Sequence, residues 1–509
     1  MTFRSILKTI AKIFLGLFSL VGLCMVLWLI WMLYINLFDE PLTPEAQAML
    51  SWRVKAVPDA ENGYVMIAGF TAPAGSDWKK VGAERIARHN EQVRASRRKR
   101  SVDENEIKIP AEEETQKLKF SECDDCEKTL RLFRGDDEAA LLASLQALLQ
   151  QQEQIDKALS DNAELIRRYE ELQSASAFSK TALPSLLEDP IWFEKGFFIP
   201  IWQILLHKVV LDALSGDREP LLNFLERDLS FWRLIMKSDT SFYTTTFSDL
   251  LLGPELRLLR TLLTKLDFSA SELERLRHLL TPLSAREQSL LRAQEYDWNA
   301  YANYFLYQVD YYPTKSIFLM LLDKLLFQPQ ATVNLFAERI RPSKELASLS
   351  SPEFVARYDA VPDMPQEKKE IIEVVDLFQE TLNYMRHGYL ETTVEKARAR
   401  IERFIAGRHD TAAALQLTRA VLELRLAGID AGKNPEAVPE FLARAGEETL
   451  NPYTGKPFEW DEACRRLSFT PQYADNRDFS EVTLAEVPEE NTAACAVSAA
   501  SIARSRNSD

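Results

Sequence analysis

Apolar positions follow two regimes along this chain. From Ile13 to Phe38 the sequence reads IFLGLFSLVGLCMVLWLIWMLYINLF, 26 residues without a charge. As a helix this run extends ~39 Å, enough to cross a ~30 Å hydrocarbon layer with some tilt. From about Asp136 onward, apolar residues recur at spacings of three and four for about three hundred residues, which predicts a helical body.

Within that body Leu141, Leu145, Leu148, Gln152, Ile155, Leu159, Asn162, Ile166 and Tyr169 form a heptad seam with polar breaks at Gln152 and Asn162. One long helix fits, and so does a restart at an Asp161-x-x-Glu164 capping box. Gly196 to Leu206, GFFIPIWQILL, is too short to span and reads as a buried or interfacial helix. After Ser215-Gly216-Asp217 another amphipathic stripe begins at Leu221, completing a helical hairpin. Further stretches at 254–265, 271–280, 284–307, 315–327, 331–341, 366–385, 392–405 and 411–426 repeat the theme without a fixed period.

The expected fold is therefore all-α: an N-terminal transmembrane helix, then irregular stacked helical hairpins in a solenoid-like array, with a short C-terminal β-hairpin pairing Phe458 and Trp460 with Arg466 to Phe469. The boundaries are a cytoplasmic N-terminus 1–12, the transmembrane helix 13–38, a partly ordered connector 39–120, an α-helical ectodomain 121–450, a turn and hairpin module 451–470, and a disordered tail 471–509. In the connector, Tyr64 to Ile67 looks extended.

Arg4, Lys8 and Lys12 precede the apolar run, and Asp39 and Glu40 follow it, which puts the N-terminus inside and the rest outside. The run is too long for a signal peptide and ends without a small-residue cleavage site. The formal charge is −15; because those three bases are the only charges before position 39, the remainder carries −18. That balance repels nucleic acid phosphates and anionic lipid headgroups and favours solubility. The basic patch Arg94, Arg97, Arg98, Lys99, Arg100 is followed by acidic residues and reads as a self-compensating solvated loop.

Cys123 and Cys126 have the spacing of a redox pair, but Glu122, Asp124, Asp125 and Glu127 around them would raise the thiol pKa. A local disulfide, free thiols, or redox or metal chemistry all fit, and export favours the disulfide.

At the C-terminal end, Asn451-Pro452-Tyr453-Thr454-Gly455-Lys456-Pro457 follows a Gly432-Lys433-Asn434-Pro435 turn and a short helix. With Asn62-Gly63-Tyr64-Val65, Gly75-Ser76-Asp77-Trp78, Glu226 to Arg233 and Phe327 to Asn334, this resembles a family of uncharacterised, single-pass, α-helical bacterial envelope proteins. The module loosely resembles one in secretion pseudopilins, whose N-terminal processing site is missing here. The resemblance covers most of 40–470 and implies location in the bacterial inner membrane with a periplasmic domain. It implies no activity. Where the family-like position is Asp, this chain has Asn451, which weakens any metal or acid role there.

There is no G-x-S-x-G, no Gly-rich dinucleotide loop, no Walker loop and no H-E-x-x-H, and the five histidines are scattered. No residue is assigned to catalysis, cofactor or metal. Between Tyr296 and Tyr312 eight aromatics crowd 17 residues; Trp298, Tyr301 and Tyr304 suit a partner or ligand surface, core packing, or lipid headgroup contact. The expected role is structural or protein-interacting, anchored in lipid through 13–38 and meeting an envelope protein partner. The alternative is an envelope hydrolase of glycan or peptide; assistance to secretion machinery is a third reading.

Overall fold

The computed structural model describes residues 3–36, 39–51, 53, 57–99, 150, 152–185, 195–307, 328–358, 390–473, 480–485, 487, 488, 491 and 495. Cys123, Cys126 and the helices expected at 315–327 and 366–385 lie outside them. The chain is mostly helical, with two small antiparallel sheets near its C-terminus. In order the helices are α1 (Phe3–Asn36), α2 (Pro44–Leu50), α3 (Gly63–Ala68), α4 (Trp78–Lys99), α5 (Gln152–Asp161), α6 (Ala163–Leu172), α7 (Lys195–Leu214) and α8 (Glu219–Met236). They continue as α9 (Phe242–Lys265), α10 (Ala270–Leu279), α11 (Ala285–Gln288), α12 (Leu291–Tyr307), α13 (Pro329–Ala347), α14 (Ser351–Tyr358), α15 (Leu390–Leu426) and α16 (Ala437–Arg444).

Helix α1 is continuous over 34 residues. Among the described residues, no helix is long and apolar enough to cross a membrane. In α1 the described side chains run unbroken only over residues 12–28, while the backbone helix and the uncharged sequence both continue past them.

Local chemistry explains the helix boundaries. Ser269 and Ser284 each close a reciprocal capping box, with Glu272 and Glu287 respectively. The second box opens only the four-residue α11, and the chain restarts at Leu291 instead of running through to Tyr307. At the heptad seam the helix breaks at Asn162, which bonds back to the Ala158 carbonyl (2.9 Å). Glu164 makes no box there; Arg167 and Arg168 take its carboxylate.

Tyr64 to Ile67 are helical, not extended: α3 is buried on every side, so its continuous apolar run could not reveal the helical period. It lies against α4 at near-backbone contact. A Cβ on Gly69 would fall 1.8 Å from the Trp78 carbonyl, and one on Gly82 2.1 Å from that of Val65, so only glycine fits at either position. Arg168, fully buried on α6, fixes the loop after α3 by donating to the carbonyls of Phe70 (2.8 Å), Ala72 (2.6 Å) and Pro73 (3.1 Å). Residues 64–86 of the segment expected as a partly ordered connector are thus part of the main core.

The body is also not a linear stack. In a solenoid each unit touches its neighbours in sequence. Here α15 packs along α9, about 150 residues earlier, and also contacts α10, α13 and the C-terminal strand β1. Buried arginines close that seam: Arg260 reaches the Ala414 carbonyl (3.1 Å) and Arg408 pairs with Asp249 (2.7 Å). One large core joins α3 to α10 with the C-terminal half of α15, α16 and the sheets; a second joins α2, α12 and α13.

The first sheet pairs β1 (Leu450–Asn451) with β2 (Lys456–Pro457). The expected hairpin is present as β3 (Glu459–Asp461) on β4 (Arg466–Ser468), with Trp460 opposite Leu467. It gains a third strand, β5 (Glu481–Thr483), from the tail expected to be disordered. Cys464, in the β3–β4 turn, is disulfide-bonded to Cys495.

Replacing Arg168 by Met should strip two buried carbonyls and a half-buried one of their donor and destabilise the body by about 3 kcal/mol. The partly exposed Glu164→Gln change should cost under about 1 kcal/mol. Urea unfolding in detergent measures both, and equal effects would contradict the role given to the loop contacts.

Candidate functional site

The most concentrated buried chemistry lies where α6, α7, α8 and α9 meet. Asp228, on the apolar face of α8, is fully buried. Its Oδ1 accepts hydrogen bonds from the Tyr169 hydroxyl (2.6 Å) and Gln173 Nε2 (2.6 Å). Its Oδ2 accepts from the indoles of Trp202 (2.9 Å) and Trp232 (2.7 Å). Glu255 of α9 approaches the same carboxylate, and as an anion it would have no donor on either oxygen. A proton on Glu255 supplies the missing donor.

Burial pushes both carboxyls up, and Glu255 rises well above the usual range because the Asp228 charge adds to the desolvation. For Asp228 four donors oppose that push. The pair therefore shares one proton and one negative charge, the charge residing on Asp228, which holds the four donors. Tyr169 is raised as well, by burial and then by Asp228, so it stays a donor.

A second constellation brings Ser351 Oγ to 2.9 Å from His409 Nδ1. The imidazole packs on Phe354, with ring centroids 4.6 Å apart. Burial and the neighbouring Arg408 lower its pKa to about 4, so it is neutral near pH 7. Serine beside histidine suggests a nucleophile and its base, but each residue is 2% exposed and a substrate carbonyl could not reach them. The adjacent Asp410 serves the C-terminal module, accepting from the Tyr453 hydroxyl (2.6 Å) and from the backbone amides of Gln472 (2.8 Å) and Tyr473 (2.8 Å). Asn451 accepts from the Tyr453 amide (3.0 Å) and so shapes that turn.

Among the described residues no group of three or more His, Cys, Asp or Glu could hold a metal ion. Trp298 is buried at 2% exposure, with the Lys344 ammonium 5.7 Å from its ring centroid. Tyr301 and Tyr304 are half-buried against the same α2–α12–α13 core. The structure places Trp298 inside and leaves one side of each tyrosine outside.

No family model, curated protein or solved structure matches the chain. What the geometry allows must be read from the residues alone. The Asp228 centre is enclosed, lacks an exposed reacting atom and satisfies its charge internally, which is the chemistry of a structural polar core. Sequence reasoning passed over it. Asp228 interrupts the stripe Leu221, Leu225, Trp232 at helical spacing, and Glu255 interrupts the apolar run of α9. A charge on the buried face was the available signal.

Because the folded-state pKa of Glu255 lies above its unfolded value, the fold holds a proton that the unfolded chain releases. Its contribution is complete below the unfolded pKa near 4.5 and is lost as pH rises toward the folded value. Glu255→Gln keeps a donor without that proton, so its melting temperature should exceed the parent's increasingly as pH is raised from 5 to 9. The gap should widen by up to about 1.4 kcal/mol per pH unit. A pH-independent gap would show that Glu255 is not the proton carrier.

Proposed function

We propose that this chain is a single-pass membrane protein of the bacterial envelope whose helical body holds protein partners instead of catalysing a reaction. One observation carries the reading: the apolar side chains of α1 are exposed around the whole helix. Ile13, Phe14, Leu15, Leu17, Phe18, Leu23 and Leu27, at 56–74% exposure, point in all directions about its axis. A helix apolar all round needs an apolar environment on every side. Its 34 residues extend ~51 Å, longer than a ~30 Å hydrocarbon core.

Orientation follows from charge. Arg4, Lys8 and Lys12 favour the cytoplasmic side for the N-terminus, and Asp39 and Glu40 lead the body outward. The Cys464–Cys495 disulfide supports the same assignment, since such bonds persist in oxidising compartments. The closed polar centre and the inaccessible Ser351–His409 contact support an interaction role over hydrolysis. The family resemblance fits this reading as a proposal of location.

The full-length protein should stay in the membrane pellet after alkaline carbonate extraction. Protease added to spheroplasts should digest the body, and non-reducing peptide mapping should recover the 464–495 crosslink. Release by carbonate, or a body protected from outside protease, would overturn the reading.

A further inference from the structure

We infer that the body is docked on the bilayer that holds α1, through an end formed by Tyr304 and Tyr307 of α12 and the last turns of α4, whose partner is the headgroup layer of that bilayer. This rests on the reading of α1 as a membrane anchor.

A fixed joint sets the geometry. Asp39 is three residues beyond Asn36, the last residue of α1, so ~11 Å of chain at most separates them. Its carboxylate accepts from the backbone amides of Gln330 (2.8 Å) and Ala331 (2.9 Å), which open α13. Those amides have no partner inside their own helix, and the positive end of the helix dipole favours the anion. Asn334 grips the following chain twice: its Oδ1 accepts from the Thr43 amide (2.8 Å), and its Nδ2 donates to the Pro41 carbonyl (3.0 Å). Asn299 of α12 then donates to the Met49 carbonyl (2.8 Å). The start of α13 is therefore held where the anchor leaves the bilayer.

Helix α12 brings its tyrosines to that place. Lys344, late in α13, lies over Trp298 (5.7 Å), while Phe336, earlier in α13, packs on Phe305 (5.5 Å). The two helices are thus antiparallel, and α12 runs toward the Asp39-capped start of α13, with Phe305 level with Phe336, five residues past that turn. Tyr304 and Tyr307 are half-buried there. A phenol with an apolar ring and a polar tip suits the depth of lipid headgroups.

Charge points the same way. Arg97 of α4 lies within electrostatic reach of the phenols of both Tyr307 and Tyr296, along α12, and donates to the Pro184 carbonyl (2.5 Å). Arg94 and Arg98 of the same turns line an open concavity with Arg88 and Glu91. In a body that is otherwise acidic, α4 thus lays a basic stretch alongside α12, with the sign that anionic lipid phosphates attract.

The test places a benzoylphenylalanine photocrosslinker at Tyr307, at Leu27 of α1 and at Lys433, in full-length protein in vesicles of phosphatidylethanolamine and phosphatidylglycerol. Lys433 is the distal control: Ile401 packs in the α2–α12–α13 core, and α15 runs ~36 Å further to Arg425 before Lys433 is reached. Lipid adducts are expected at 27 and 307 and not at 433. Asp39→Ala should remove most of the adduct at 307 and keep that at 27; Asp39→Asn, retaining one acceptor, should keep part. Arg94→Gln with Arg98→Gln should also lower it. If Asp39→Ala unfolds the body, Asn334→Ala replaces it. No adduct at 27 would sink the anchor reading itself. An adduct at 27 with none at 307, or an adduct at 433 as strong as at 307, would overturn docking and leave the anchor standing. An adduct at 307 unaffected by Asp39→Ala or Asn334→Ala would overturn the joint, and one unaffected by the arginine changes would overturn the phosphate contact.

Discussion

A single negative charge, kept out of water on Asp228, ties the main core together. An isolated carboxylate in such a medium is prohibitively costly, so every neighbour must answer it. Tyr169 does so from α6 and Gln173 from its C-cap, Trp202 from α7, Trp232 from the next turn of α8 and Glu255 from α9. Each contact fixes the rotation of one helix about its own axis. Apolar side chains alone would allow these four helices to slide or repack with small loss. The hydrogen-bonded centre removes those alternatives, and the aromatic cluster of Phe198, Phe231 and Trp232 packs around the arrangement it defines.

The same device recurs with opposite sign. Arg168, Arg260 and Arg408 are fully buried, and each satisfies its guanidinium largely on backbone carbonyls or hydroxyls of distant segments. Arg168 captures the loop after α3, while Arg260 and Arg408 join α9 to α15. Five donors in a fixed fork suit this work, because one side chain can bridge several carbonyls that no strand or helix would pair. The molecule's long-range order thus depends on a few buried polar side chains set among leucines.

How far the sequence foretold this follows from the same physics. Helices with one wet face, such as α8 and α10, advertise themselves through spacing, and the Ser269 capping box marks where α10 begins. Helix α3 did not, since a segment buried on all sides carries no periodic contrast. The return of α15 onto α9 was illegible for a different reason: periodicity reports which face is apolar and not which distant face covers it. Strand β5 and Cys495 were hidden in a segment whose composition looks unstructured, because their order comes from pairing with β4 and from a covalent bond. The site was partly legible. Asp228 and Glu255 break apolar stripes, but a lone sequence does not show that two such breaks face one another. Trp298, Tyr301 and Tyr304 were recognisable as a cluster, and only packing separates the tryptophan inside from the tyrosines at the edge.

The Asp39 cap has a consequence in time. Its partners, Gln330 and Ala331, lie 291 and 292 residues further along the chain. At a synthesis rate of ~5–20 residues per second, α1 and Asp39 are complete roughly 15–60 s before the helix that Asp39 caps exists. Throughout that interval the carboxylate waits without these partners. The seating of the N-terminal segment on α13 is therefore a late event in biogenesis, closed by one carboxylate after nearly two-thirds of the protein has been made.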